Sequence, residues 1–412
     1  MKSTVKAPVQ TLAGKAEMID DAVNPIRGRS RPSRPQLMPY PRAPSPLGTP
    51  ASIVALDLLR ASAAFLVFFG HVKQSSFVAF GDLPAAQQGL ATKIFFGLAR
   101  LGHESVMVFF VLSGFLVGGQ IIRHVREGRF SVTSYALDRS TRILLPLIPA
   151  CLLTVAIGWF VFGEAPSALQ AALNMIGLNG VLVDTLPLNV PLWALAYEIW
   201  FYLLAGVIGY LFSARRASPL ALLVLGCSVC VFSVLYARYL LFWCLGALCV
   251  LFLGTAHRRA LAVIGLVLTI SGVLAYQLSV DAKLLAKAEY FPQAIAEALI
   301  CIGISMAIPF LCDDRLNASI SVLRKPARYL SALSYTLYLV HFPLNAVLAK
   351  LFPQSTDLSW TSIGIFATKI VLIWAVVTVF FLAFEANTAS LRCFLKARLL
   401  DTLKCGQRTT NL

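Results

Sequence analysis

Charged side chains are scarce in this sequence. Asp, Glu, Lys and Arg make up 13% of the 412 residues, hydrophobic residues make up 58%, and mean hydropathy is +0.77. A soluble domain carries about 25% charged residues. The shortage excludes a soluble two-domain enzyme, whose surface needs more polar cover, and equally a disordered protein. Other features are missing too. The nine cysteines are odd in number and lack extracellular spacing, which argues against a disulfide framework. Cys227 and Cys230 form a CxxC, but it lies in a Leu/Val run with no His or carboxylate nearby, so it is expected to pack helices and not to bind metal. Residues 1–50 have no apolar stretch of signal-peptide type. No barrel-strand alternation is present, and no internal repeat of the transporter kind. Acidic residues number 19 against 35 Lys and Arg, giving a formal net charge of +16. In a membrane chain that excess is first read as topology, with no nucleic-acid partner implied.

What is present is a succession of long apolar segments. Ten are long enough to span a bilayer: about 53–73, 103–122, 143–163, 193–213, 218–236, 239–254, 260–279, 293–312, 333–352 and 362–386. Hydrocarbon gives the backbone no partners outside a helix or a closed barrel, so these are read as helices. The expected fold is an all-α polytopic bundle of about ten transmembrane helices. A shorter segment, 168–183, is interrupted by Asn174, Gly177, Asn179 and Gly180 and is read as interfacial or re-entrant. With the N-terminus inside, 26 of the 35 Lys and Arg fall on the cytoplasmic side and 7 outside, with Arg60 and Lys369 inside spans. That split favours an even number of crossings and both termini cytoplasmic. Flanking the membrane domain (51–390) are a Pro/Arg-rich tail over 1–50 and a C-terminal tail over 391–412. The first tail is read as disordered and basic, able to lie near anionic lipid.

An ionisable side chain at the bilayer centre costs about 2.5–3.5 kcal/mol on insertion scales, so each one asks for a reason. The first segment reads IVALDLLRASAAFLVFFGHV. Arg60 and His71 are eleven residues apart, which is about 20° from three full turns, so they share a face. Asp57 lies three residues before Arg60 and can pair with it. Ser113 sits mid-way in the second segment. Arg139 and Arg142 belong to a basic cytoplasmic loop, 123–142, whose charge serves topology or a phosphate-bearing ligand. Glu198 lies at a depth comparable to His71 and is expected to orient its imidazole. His341 is mid-membrane, beside Tyr338, with Pro343 loosening the backbone. Lys369 and Glu385 are expected to reach the interfaces. Together these groups describe a polar tunnel, with a base toward the outside and an anion-binding Arg nearer the inside.

Five strings in order carry a resemblance. The first segment fits LDxLRxxAxxxVxxxH through Arg60 and His71, and FFVLSGF runs from Phe109 to Phe115. RxxRI followed by Pro is met by Arg139, Arg142, Ile143 and Pro146. WxLxxExxFYL is met by Trp193, Leu195, Glu198, Phe201, Tyr202 and Leu203. SYxLYLxHxP is met by Ser334, Tyr335, Tyr338, His341 and Pro343. Over about 53–386 the chain resembles the acyltransferase-3 family of membrane-bound bacterial carbohydrate O-acyltransferases, in the form without an appended periplasmic hydrolase-like domain. Two positions depart from the pattern. Tyr197-Glu198 supplies one carboxylate where the family commonly has two, and Glu385 is followed by Ala386-Asn387 instead of an early Pro, so Glu385 is assigned no role.

The resemblance implies a multi-pass enzyme of the bacterial inner membrane. Cytoplasmic acyl-CoA, most often acetyl-CoA, would be the co-substrate, with no bound cofactor and no metal. The acceptor would be a hydroxyl of a cell-surface or exported carbohydrate. Arg60 would hold the pantetheine diphosphate or polarise the thioester, and Arg139 and Arg142 would attract the nucleotide end. His71 would deprotonate the sugar hydroxyl and Glu198 would orient it, with Asp57, Ser113, Tyr338 and His341 lining the tunnel. Whether the acyl group moves directly or through an acyl-histidine stays open. Two other classes compete: a transporter or flippase for a lipid-linked sugar, and a non-catalytic scaffold in polysaccharide assembly.

Overall fold

The computed structural model describes residues 53–214, 217–286, 291–388 and 390–395. The basic tail over 1–50, Arg215, Arg216, and the tail beyond 395 with Cys405 lie outside the described residues. Among the described residues the chain is helical, with turns and two isolated bridges. The helices are α1 (Val54–Ser76), α2 (Leu90–Ala99), α3 (Gly102–Ser113), α4 (Gly119–Arg126), α5 (Val132–Ile157), α6 (Ala168–Met175) and α7 (Leu192–Ser213). They continue as α8 (Pro219–Val234), α9 (Ala237–Leu248), α10 (Arg258–Ala286), α11 (Phe291–Leu311), α12 (Asp314–Ser319), α13 (Arg324–Leu351) and α14 (Trp360–Phe380). A π turn, Gly114–Gly118, joins α3 to α4, and two more follow α5 (Gly158–Phe162) and α14 (Phe381–Glu385).

Eight of the described helices, with α3 and α4 as one and α5 and α14 extended, are long and apolar enough to cross a membrane. The expected all-α, multi-pass architecture is therefore present. The segments read over 218–236 and 239–254 are α8 and α9. Each falls short of that length alone; together they are long and apolar enough for one further crossing, but bent by 120° between them, so the structure shows eight such helices or nine among the described residues, against the ten expected. Segment 168–183 is the eight-residue α6 followed by turns, with Gly177 and Gly180 at positive φ.

Helices run past the apolar windows that reveal them. α5 starts at Val132, where the Ser131 hydroxyl accepts from the Ser134 N–H. Arg139 and Arg142, expected in a loop, are instead on that helix. Hydropathy detects only the stretch buried in hydrocarbon, while a helix continues for as long as its backbone is capped.

Outward faces are apolar, as a bilayer requires. On α10, Val263, Leu266, Val267, Ile270 and Leu274 are all exposed. Cys227 and Cys230 are exposed on α8, which corrects the expectation that they pack between helices. Inside, helices meet through small residues. A Cβ on Gly114 would collide with the Trp243 carbonyl, and one on Gly246 would collide with the Val111 carbonyl. The α3 π turn and α9 thus touch backbone to backbone, the close approach that drives helix association in lipid.

In α13, Pro343 has no N–H to offer Leu339 four residues earlier. The side chain of Asn189 donates to that freed carbonyl at 2.8 Å and to Thr154 Oγ1 at 3.2 Å. The proline break is thereby satisfied inside the bundle.

Gly114→Ala is expected to lower thermal stability in detergent by the equivalent of about 1–3 kcal/mol, the usual cost of overpacking. Gly226→Ala, where a Cβ meets nothing within 4 Å, is expected to be neutral or stabilising. Thermal unfolding of the two variants beside wild type reads the contrast directly.

Candidate active site

A cavity of about 440 Å³ opens among α1, α3, α5, α7 and α13. Arg60, Arg139, Arg142, Glu198, Tyr202 and Tyr338 are among its lining residues, and Asp138, Thr388 and Arg392 lie at the end formed by the start of α5 and the residues after α14. Five of the expected site residues, Arg60, Arg139, Arg142, Glu198 and Tyr338, therefore share one space.

The three arginines differ in what already holds them. Arg142 pairs with Glu385, whose other oxygen accepts from the Thr336 hydroxyl. Glu385, expected to reach an interface, is instead 2% exposed, and the π turn Phe381–Glu385 aims it inward. Arg60 and Arg139 make no ion pair among the described residues. Arg139 lies over the Tyr202 ring at 5.7 Å, with its Nε buried and without a hydrogen-bond partner. Arg60 lies in the field of Arg142, Glu198 and Asp57. The expected Asp57–Arg60 pair does not form, and Asp57 Oδ2 is buried without a partner. Three residues of separation place the two on one side of α1, but an Asp side chain is too short to follow an Arg that extends into the cavity.

Glu198 is fixed by a chain of donors. Trp243 Nε1 donates to Ser113 Oγ at 3.1 Å. Ser113 Oγ lies 3.3 Å from Glu198 Oε1 and 3.2 Å from the Tyr202 hydroxyl, which itself donates to Glu198. Ser113 therefore acts in an ordered network behind the cavity and is not part of its lining. The backbone contact of Gly114 with Trp243 brings the indole to the serine.

Neither His71 nor His341 lines the cavity. They form a second group, with rings stacked at 5.1 Å and His71 Nδ1 2.9 Å from His341 Nε2. The expectation that Glu198 orients His71 is corrected here, because the partner is His341. Similar depth along two helices does not bring side chains together; that depends on which helices are neighbours, and α1 packs along α13. His341 has no exposure, and its Nδ1 lies 2.8 Å from the Leu337 carbonyl and 3.0 Å from that of Tyr338. Carbonyls only accept, so His341 Nδ1 carries the proton. With both rings neutral, His341 Nε2 accepts from His71 Nδ1–H. The free position on His71 is then Nε2, a bare lone pair.

Tyr338 joins the two groups. It lines the cavity, its ring is 6.2 Å from that of His341 and 6.4 Å from Phe109, and its hydroxyl donates to the Pro191 carbonyl.

Lys369 is a further surprise. Expected to reach an interface, it has no exposure, and its ammonium donates to the carbonyls of Ser75 and Phe352. The long side chain does extend toward helix ends, but the carbonyls at the ends of α1 and α13 meet it before water does. Trp243 and Asn345 give no signal in the sequence, since aromatic and small polar residues are ordinary in spans, whereas Tyr202 belongs to the WxLxxExxFYL string.

Glu385→Ala leaves the half-buried Arg142 without its partner and is expected to cost about 1–2 kcal/mol, between the exposed and the fully buried case. The double variant Arg142→Met/Glu385→Met is expected to regain most of that loss. A double-mutant cycle on thermal unfolding in detergent measures both.

The family model for an acyltransferase domain matches residues 53–384, most of the chain. No curated protein matches. No solved structure matches.

Proposed function

The chain belongs to the acyltransferase-3 family, and we propose that it moves an acyl group, acetyl first among candidates, from cytoplasmic acyl-CoA to a hydroxyl of a carbohydrate on the far side of the membrane. The observation that supports this most is the pairing of a cavity holding two arginines without ion-pair partners with a histidine whose bare nitrogen is set by a second histidine. In this reading both termini are cytoplasmic and the membrane is the bacterial inner membrane. α8 and α9 make two short crossings, bringing the total to ten. An even total keeps Arg258, Arg259 and the basic residues of 313–332 on the same side as the N-terminus.

The donor enters past Thr388 and Arg392. Its phosphates meet Arg139, and Arg60 takes either the diphosphate or the thioester carbonyl, where a guanidinium can offer two parallel donors. Arg142, neutralised by Glu385, shapes the wall and is not the main anion site. Glu198 faces Arg60 as a counter-charge, held in place by Tyr202 and Ser113.

The acceptor hydroxyl approaches His71. Nε2 removes its proton as the oxygen attacks the thioester carbon, and His341 keeps Nε2 unprotonated beforehand by accepting from Nδ1–H. The tetrahedral intermediate collapses with loss of the CoA thiolate, which takes the proton from His71. An ester and free CoA result. In this reading the acyl carbon travels past the Tyr338 ring, which lines the cavity and lies 6.2 Å from that of His341, to reach His71.

His71→Ala is expected to reduce acyl transfer at least a thousandfold while leaving membrane abundance unchanged. Arg60→Lys is expected to recover less than a tenth of the activity lost in Arg60→Ala. Mass spectrometry of surface and secreted polysaccharides reads both, from a deletion strain complemented with each form. An ester-sized mass that returns only with wild type supports the reading and identifies both acyl group and acceptor. Unchanged esters with altered polysaccharide amounts would replace it with a flippase or scaffold.

A further inference from the structure

The mechanism above gives Lys369 no part, yet a fully buried ammonium needs strong compensation. Among the described residues no carboxylate pairs with it. Its two acceptors are the Ser75 carbonyl at 3.2 Å and the Phe352 carbonyl at 2.9 Å. Both are helix ends. Ser75 lies in the last turn of α1, and Phe352 directly follows the last residue of α13. The Ser75 carbonyl lacks an intrahelical donor and lies at the negative end of the α1 dipole, and the Phe352 carbonyl, on extended backbone, caps the end of α13, so one cation satisfies both.

These are also the two helices that carry the histidine pair. A second tie lies between clamp and pair. Asn345 is one turn beyond His341, and Ser75 is one turn beyond His71. Ser75 Oγ donates to Asn345 Oδ1 at 2.8 Å, and Asn345 Nδ2 donates to the His71 carbonyl at 3.1 Å. Past the clamp, the Ser355 N–H meets the Ser76 carbonyl at 2.8 Å, and the Val78 N–H meets the Ser355 carbonyl at 3.1 Å. The ends of α1 and α13 are thus fastened layer by layer, with the ammonium in the middle.

Register matters at this spacing. A slip of one residue moves a side chain by about 1.5 Å along the helix and turns it by about 100°. Two nitrogens 2.9 Å apart would then lie beyond hydrogen-bond reach.

We propose that Lys369 is a positioning residue: by clamping the C-terminal carbonyls of α1 and α13 it sets the register in which His71 Nδ1 meets His341 Nε2. It thereby decides which nitrogen of His71 is free. The consequence for catalysis rests on the reading of His71 as base, whereas the consequence for the rings does not.

The test joins ¹⁵N spectra of the histidine rings with acyl-transfer kinetics, on full-length protein in detergent. The chain has five histidines, so single substitutions assign the signals. In wild type, His71 and His341 should both carry the proton on Nδ1. In Lys369→Met, His71 should give a mixture of tautomers, while His341 keeps its form because the Leu337 carbonyl is in its own helix. The kcat should fall at least tenfold with the KM for acetyl-CoA within twofold, and Lys369→Arg should return kcat to within threefold of wild type. In a His341→Ala background, Lys369→Met should cost less than twofold further. If Lys369→Met cannot be recovered from membranes, Asn345→Leu carries the same expectations for spectrum and kcat. Unchanged His71 tautomer in either variant overturns the proposal, as does a fall in kcat without a ring change. A ring change in a protein whose wild type transfers no acyl group upholds the clamp and defeats the acyl-transfer reading.

Discussion

Hydrocarbon has no hydrogen-bond partners to lend, and several of the most costly polar groups described inside this bundle are satisfied by groups on other helices. The carbonyl freed by Pro343 takes the Asn189 amide. The ammonium of Lys369 takes two helix ends, and Glu385 takes Arg142 and Thr336. Once these needs are met, few side chains can move independently, because each is fixed by another helix. The cavity is where that economy is relaxed. Arg60 and Arg139 stand there without counter-ions in contact, beside a carboxylate whose position is dictated by a tyrosine and a serine. Uncompensated positive charge in such a place is costly when empty and favourable when an anion fills it.

The membrane architecture was legible because hydropathy acts along the chain. Ten apolar segments correspond to helices or to continuous pieces of them. Arg60 and His71 fall on one helix, and helical periodicity relates residues of one helix well. What stayed hidden depends on which helices are neighbours. Nothing in the spacing within α7 says that Glu198 meets Ser113 and Tyr202 instead of His71. Nothing within α13 says that His341 meets α1. Boundaries were misread for a different reason. The polar first turns of α5 and α13 lie outside the apolar windows, so hydropathy alone assigns Arg139 and Arg142 to a loop.

Lys369 and Glu385 stand out in the sequence, but not the partners that hold them. Both are long side chains, and a long charged side chain near a span end can extend to water. Lys369 is mid-helix, and Glu385 is turned inward by a π bulge, a local geometry that composition does not announce. The insertion cost of an intramembrane charge was the better guide. Where that cost has no evident outlet, a partner on another helix is the physical expectation.

Tyr338 stands between the arginine cavity and the histidine pair, and its place has an electrical consequence. Each elementary charge that crosses a membrane held at 100 mV gains or loses about 2.3 kcal/mol, so any unbroken file of water through the bundle would drain the ion gradient. Tyr338, tied to the Pro191 carbonyl, sets an aromatic ring between the cavity and the histidine pair, where such a file would run. A bundle that holds ionisable groups at depth insulates only while such a file stays broken, and a hydrophobic ring at this point is one means of breaking it.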